Sequence, residues 1–108
     1  MRFRENPEVY IGIHQISSVV PENFELRQNY PNPFNPVTNL EFGIPNLEFV
    51  TLKIYDAMGR EAVTLVNEII EPGYYKIKFN AGNLASGVYF YRMTAGEFIA
   101  VKKLVVLK

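Results

Sequence analysis

No cysteine occurs among the 108 residues. That excludes a disulfide, a thiolate metal site and a cysteine nucleophile. The chain has one histidine, His14, and one aspartate, Asp56. His14 lies near the N-terminus, where a solvated strand residue explains it better than a base or ligand. The serines Ser17, Ser18 and Ser86 have no nucleophile-elbow context. A Ser–His–acid triad would have to run through His14. Net charge is also lacking: 11 basic and 11 acidic residues are spread along the chain, with no basic stripe for nucleic acid. No apolar run approaches the roughly 20 residues of a membrane helix. The opening Met1-Arg2-Phe3-Arg4 continues into Glu5-Asn6-Pro7-Glu8, without the apolar core of a signal peptide. Any export signal is therefore expected on a longer precursor. Glycine-rich phosphate loops and acidic tracts are missing as well. For a calcium ion the Asn-rich region 29–39 offers side-chain amides and carbonyls but no carboxylate, which makes a structural ion there a minor alternative. The expectation is a non-catalytic chain with no cofactor, no metal, no nucleic-acid partner and no membrane span.

What is present is a β pattern. Aromatics make up 14% of the chain, and glycines and prolines punctuate it at regular intervals. Val9, Ile11 and Ile13 alternate with Tyr10, Gly12 and His14, which suggests one short strand. Residues 17–22 read as a connector, so residues 1–22 form an extension and the main domain is 23–108. Strands are expected over 37–44, 48–55, 60–66, 74–80, 88–94 and 98–107. Leu40, Phe42 and Ile44 share one face, as do Val50, Leu52 and Ile54, and Tyr75, Ile77 and Phe79. Asp56-Ala57-Met58-Gly59 is a turn in which Gly59 supplies the left-handed residue of a bulged hairpin. Pro72-Gly73 fits the centre of a type II turn. No segment holds a helical period; 63–70 comes nearest, and its β-branched residues argue against it.

Two further features carry information. In Asn29-Tyr30-Pro31-Asn32-Pro33-Phe34-Asn35-Pro36, three prolines fix φ, remove donors and push their predecessors out of the α region. The segment must be extended and bent, with Tyr30 and Phe34 as anchors. Leu84-Ala85-Ser86-Gly87-Val88-Tyr89 has the spacing of a tyrosine corner, in which the Tyr89 hydroxyl locks a crossover between sheets. About seven strands at this spacing give an all-β, immunoglobulin-like Greek-key β-sandwich. The last two strands are apolar on both faces, with Val88 and Phe90 on one and Tyr89, Tyr91 and Met93 on the other. Either the proline segment covers the second face or another molecule does. The lysines of the final strand, taken alone, read as protection of a sheet edge.

Four stretches occur in the order found in one family: NYPNPFNP at 29–36, LKIYDAMGRE at 52–61, SGVYFYR at 86–92 and KKLVVLK at 102–108. The chain resembles the type A C-terminal sorting domain of the type IX secretion system of Bacteroidota. The resemblance covers about residues 23–108. It implies an immunoglobulin-like module attached to an N-terminal cargo. The cargo passes through the periplasm and the outer-membrane translocon to the cell surface or exterior, where a sortase removes the module. Carried over by position, Gly59 and Arg60 match the family's turn and Gly87 and Tyr89 its corner; these, with Asp56 and Phe34, are expected to be structural. Lys102, Lys103 and Lys108 are expected to be read by the secretion machinery. Cleavage is expected within Ile16, Ser17, Ser18, Val19, Val20 and Pro21, where small residues and little structure give access. The alternative is a structural or adhesive sandwich that self-associates through a sheet edge or apolar face. A carbohydrate-binding sandwich is a more distant third.

Overall fold

The computed structural model describes residues 10–108. Met1-Arg2-Phe3-Arg4 and Val9, the first residue of the N-terminal alternation, lie outside the described residues. Eight strands follow in order: β1 (Tyr10–Ser17), β2 (Glu25–Leu26), β3 (Val37–Ile44), β4 (Glu48–Asp56), β5 (Glu61–Ile70), β6 (Gly73–Asn80), β7 (Gly87–Ala95) and β8 (Phe98–Val106). They form two antiparallel four-stranded sheets, with orders β1-β6-β3-β2 and β5-β4-β7-β8.

Period-2 alternation sets the faces. Leu40, Phe42 and Ile44 of β3, Val50, Leu52 and Ile54 of β4, and Tyr75, Ile77 and Phe79 of β6 are all buried between the sheets. Tyr89, Tyr91 and Met93 of β7 join them from the second sheet. Each fully buried aliphatic or aromatic side chain of this kind contributes about 1.5–3 kcal/mol of transfer free energy. Phe42 stacks on Tyr75 across β3 and β6, with ring centroids 5.4 Å apart. A slip of one residue in β3 would turn this whole set towards water, so the pattern also fixes the register.

The chain changes sheet between β3 and β4, between β5 and β6, and between β6 and β7. With β4-β5 and β7-β8 as hairpins, β2 to β8 follow the Greek-key order of an immunoglobulin-like sandwich. The strand not marked in the sequence is β2, which is only two residues long. Residues 63–70, where a helical period came nearest, belong to β5, which extends to Ile70. A register shift in β5 leaves the consecutive residues Leu65 and Val66 both buried, and a second shift lies nearer Glu61. Such bulges bend an edge strand and increase its twist.

Two crossovers are locked in the same way. At the entry to β7 the Tyr89 hydroxyl donates to the Ala85 carbonyl at 2.8 Å, as the Gly-x-Tyr spacing predicted. At the entry to β6 the Tyr75 hydroxyl donates to the Glu71 carbonyl at 2.7 Å. In both, a glycine two residues before the tyrosine has positive φ: +148° at Gly73 and +151° at Gly87. Pro72-Gly73 is therefore not a type II turn, whose glycine would sit near about +80°. The chain does not fold back there; it crosses from one sheet to the other. A side chain at Gly73 would also meet the Ser17 carbonyl at 2.9 Å, because β1 packs alongside.

Candidate functional site

The end of the second sheet and the proline segment form one unit. β8 is an edge strand, and its ladder with β7 runs without a register shift from Phe98 to Val106. Its outward backbone groups are met by the earlier segment. Phe34 N–H donates to the Val105 carbonyl and Leu107 N–H donates to the Phe34 carbonyl, both at 3.0 Å. Val105 N–H donates to Asn32 Oδ1 at 2.9 Å, and Gln28 Nε2 donates to the Lys103 carbonyl at 2.8 Å. The same segment holds the other sheet, through Arg27 N–H to the Glu41 carbonyl and the mutual Tyr30–Asn39 backbone pair. It closes one side of the sandwich. Prolines suit this position, since a covering segment needs few donors of its own.

Three side chains fix the segment. Phe34 is 3% exposed and inserts between the sheets, its ring 6.2 Å from that of Phe79. Asn29 is buried; its Nδ2 donates to the Pro31 carbonyl and to Thr38 Oγ1. Tyr91 is fully buried, and its hydroxyl donates to the Arg27 carbonyl at 2.7 Å and accepts the Asn29 N–H at 2.8 Å. Burial pushes the Tyr91 phenol up to about 12, against the opposing pull of the Asn29 N–H. A second aromatic contact, Phe24 on Phe98 at 5.4 Å, joins the chain before the segment to the start of β8.

The three lysines expected to be read together point in different directions. Lys102 lies on the same side of β8 as Leu104 and Val106 and is half-buried, whereas Lys103 is exposed on the outer face. Lys108 is tied back to the crossover before β7, its N–H donating to Ser86 Oγ at 3.0 Å and its Nζ to the Gly82 carbonyl at 2.7 Å. They do not form one cationic patch. Successive residues on a strand face opposite sides.

The proline segment covers the edge of β8 and the core side of β7, but not the outer face. There Val88 is 40% and Phe90 36% exposed. Phe90 and Arg92 of β7 border a shallow depression with Tyr55 of β4 and Val101 of β8. At the rim of this face lies the β4–β5 turn. Asp56 Oδ1 accepts from the N–H groups of Met58 and Arg60, both at 2.9 Å, and Oδ2 pairs with Arg60 Nε at 2.9 Å. Gly59 has φ +85°, as the turn requires. The Arg60 N–H bond is the main reason that the Asp56 carboxyl sits below the usual carboxylate range. This turn organises the hairpin.

The expected cleavage connector divides. Ile16 and Ser17 belong to β1, which pairs with β6, and Pro21 is buried against Gly43. Ser18, Val19 and Val20 are exposed and lie outside any strand. His14 is exposed on β1 opposite Lys76. Among the described residues, no three histidine or acidic side chains gather to hold a metal ion, and no helix is long and apolar enough to cross a membrane.

Sequence reading missed the hydrogen-bonding roles of Tyr91, Asn29, Thr38 and Tyr75. The repeated Gly-x-Tyr of residues 73–75 and 87–89 was a usable signal for Tyr75. Nothing local marks Tyr91, because its partners lie more than 60 residues away. A family described as the secretion system C-terminal sorting domain matches residues 28–107. Neither a curated protein nor a solved structure matches the chain.

Proposed function

Because this chain belongs to the secretion system C-terminal sorting domain family, we propose that it carries an N-terminally attached cargo through the type IX translocon and is then cut off by a sortase. Domains of this family are sorting signals for type IX secretion, with the cell surface or exterior as destination and no reaction of their own. The match over residues 28–107 carries the reading, since it spans the proline segment through to the end of β8. On this reading, residues 23–108 are the sorting module and the β1 segment is an extension docked on its first sheet. Cleavage falls at Ser18, Val19 or Val20, the exposed residues between β1 and the buried Pro21. Lys102 and Lys103, one on each side of β8, are read by the machinery. Lys108 contributes by holding the chain end against Gly82.

The test is a fusion of the full chain behind a reporter exported by the general secretory route, in a cell with type IX secretion. Surface delivery is expected, and a reporter retained in the periplasm overturns the reading. Removing residues 102–108 is a poor test of recognition, because Leu104 and Val106 are core residues. Replacing Lys102 and Lys103 by glutamate keeps the core and should abolish delivery.

A second reading, self-association, is favoured by the uncovered outer face with Phe90, Ile99 and Val101. Light scattering of the purified chain tests it. A monomer throughout the micromolar range removes it.

A further inference from the structure

The four sheet edges are not equivalent. β2 is two residues long, and β1 and β5 each have two register irregularities. Short or bulged edges pair poorly with other strands. β8 alone is both long and regular, with nine consecutive residues in register with β7.

The proline segment protects only part of this edge. It bonds the Lys103 carbonyl, both backbone groups of Val105 and the N–H of Leu107. In an antiparallel ladder, alternate residues direct their groups to the same side. Ile99 and Val101 therefore point theirs outward too, as does the Lys103 N–H. None of these has a backbone partner among the described residues. The flanking side chains are Ile99 and Val101, 57% and 55% exposed on the outer face, with Lys102 on the opposite side.

Charge selects what fits here. Lys102, Lys103 and the neighbouring Arg92 form no ion pair among the described residues. β7 and β8 contain no acidic residue. A second copy of the chain would bring two more lysines and another Arg92 against these, and like charges on neighbouring strands repel. A strand that alternates apolar and acidic residues would place its apolar residues beside Ile99 and Val101 on the outer face and its acidic residues on the other side, against Lys102.

We propose that residues Ile99–Lys103 of the β8 edge take an extended acidic segment of another protein by strand addition, where the cover of the proline segment stops. Main-chain bonds supply affinity in this mode, and alternate side chains supply selectivity. The proposal rests on and deepens the recognition role given above to Lys102 and Lys103.

The probe is a capped hexapeptide of alternating valine and glutamate, titrated into the purified full chain and followed by NMR. Saturable shifts and slowed hydrogen exchange are expected at the Ile99, Val101 and Lys103 amides. A valine–lysine hexapeptide should bind at least about tenfold more weakly, a difference of about 1.4 kcal/mol. Val101→Pro removes an outward N–H, a change that edge strands tolerate, and should weaken binding by a similar factor. Lys76→Glu, on the first sheet, should leave it unchanged. The absence of saturable binding, equal binding of both peptides, or shifts centred on β5 would overturn the proposal. So would dimerisation of the free chain through the β8 edge. Peptide binding with failed reporter export removes the sorting assignment alone. Export with no peptide binding removes strand addition alone.

Discussion

The Asn29 amide and the Tyr91 hydroxyl meet at 2.8 Å across 62 positions of sequence, inside the core. The hydroxyl hands its own proton to the Arg27 carbonyl. One phenol thus satisfies two backbone groups of a segment that belongs to neither sheet along its whole length. Tyr91→Phe leaves both groups without that partner, at a cost of about 1–3 kcal/mol. Urea denaturation should show this as a lower midpoint with an unchanged slope.

The same residue predicts an alkaline effect. The Tyr91 phenol is held at about 12 in the fold, against an ordinary value of 10.0. In that interval the native state keeps a proton that the unfolded chain has released, so stability falls as pH rises. The contribution is complete below pH 10 and is lost as pH approaches 12. The urea midpoint of the wild type should drop across that window, and Tyr91→Phe should flatten the drop. Tyr75 is shifted upward too, again chiefly by burial. A residual slope in Tyr91→Phe should therefore shrink further when Tyr75→Phe is added.

Phe34→Ala should destabilise by about 3–5 kcal/mol, the usual cost of emptying a buried aromatic site. Its backbone bonds to Val105 and Leu107 do not need the ring. Hydrogen exchange of the Leu107 amide reports whether the segment still docks. Faster exchange at Leu107 than at Met93 is expected in the variant.

The two corner tyrosines should behave alike. Tyr75→Phe and Tyr89→Phe each remove one hydroxyl-to-carbonyl bond of 2.7–2.8 Å. Each should cost about 1 kcal/mol, the typical net value of such a bond. Thermal melts of the two single variants check the equality.

Asp56 gives the acid-side counterpart. Its folded carboxyl is held below the ordinary value of 3.8, first by the Arg60 N–H. Its contribution is present above that value and is lost as pH falls through the folded value. Asp56→Ala should lower stability at neutral pH and reduce the loss on acidification below pH 3.8. Urea curves at pH 7 and pH 2.5 check it.

Most of the sandwich was legible because its strands alternate cleanly. Leu40, Phe42 and Ile44, or Tyr75, Ile77 and Phe79, state their buried face without any tertiary information. The Asp56–Gly59 turn and the Tyr89 corner were legible because both are closed within a few residues. β2 was not legible, since two residues carry no period. Gly73 was misread because Pro-Gly specifies a local turn, whereas the crossover is set by β1 and β6 packing in the opposite sheet. Of the two aromatics expected as anchors, Phe34 is buried but Tyr30 is 78% exposed and holds the segment only through its backbone pair with Asn39. The bonds that neighbours of Phe34 make to β8 join positions some 70 residues apart, which no local pattern encodes. Lys102 and Lys103 were grouped as one feature by adjacency, and the pleat separates them.

The bracing of the proline segment by β8 imposes an order of assembly. Residues 27–36 leave the ribosome long before their partners at 103–107 exist. Until β8 arrives, Tyr91 has a sheet on one side only, and the bonds that hold Phe34 in place have no other half. The segment can meet β3 early, through Tyr30 and Asn39, but its closure onto the second sheet has to wait for β8.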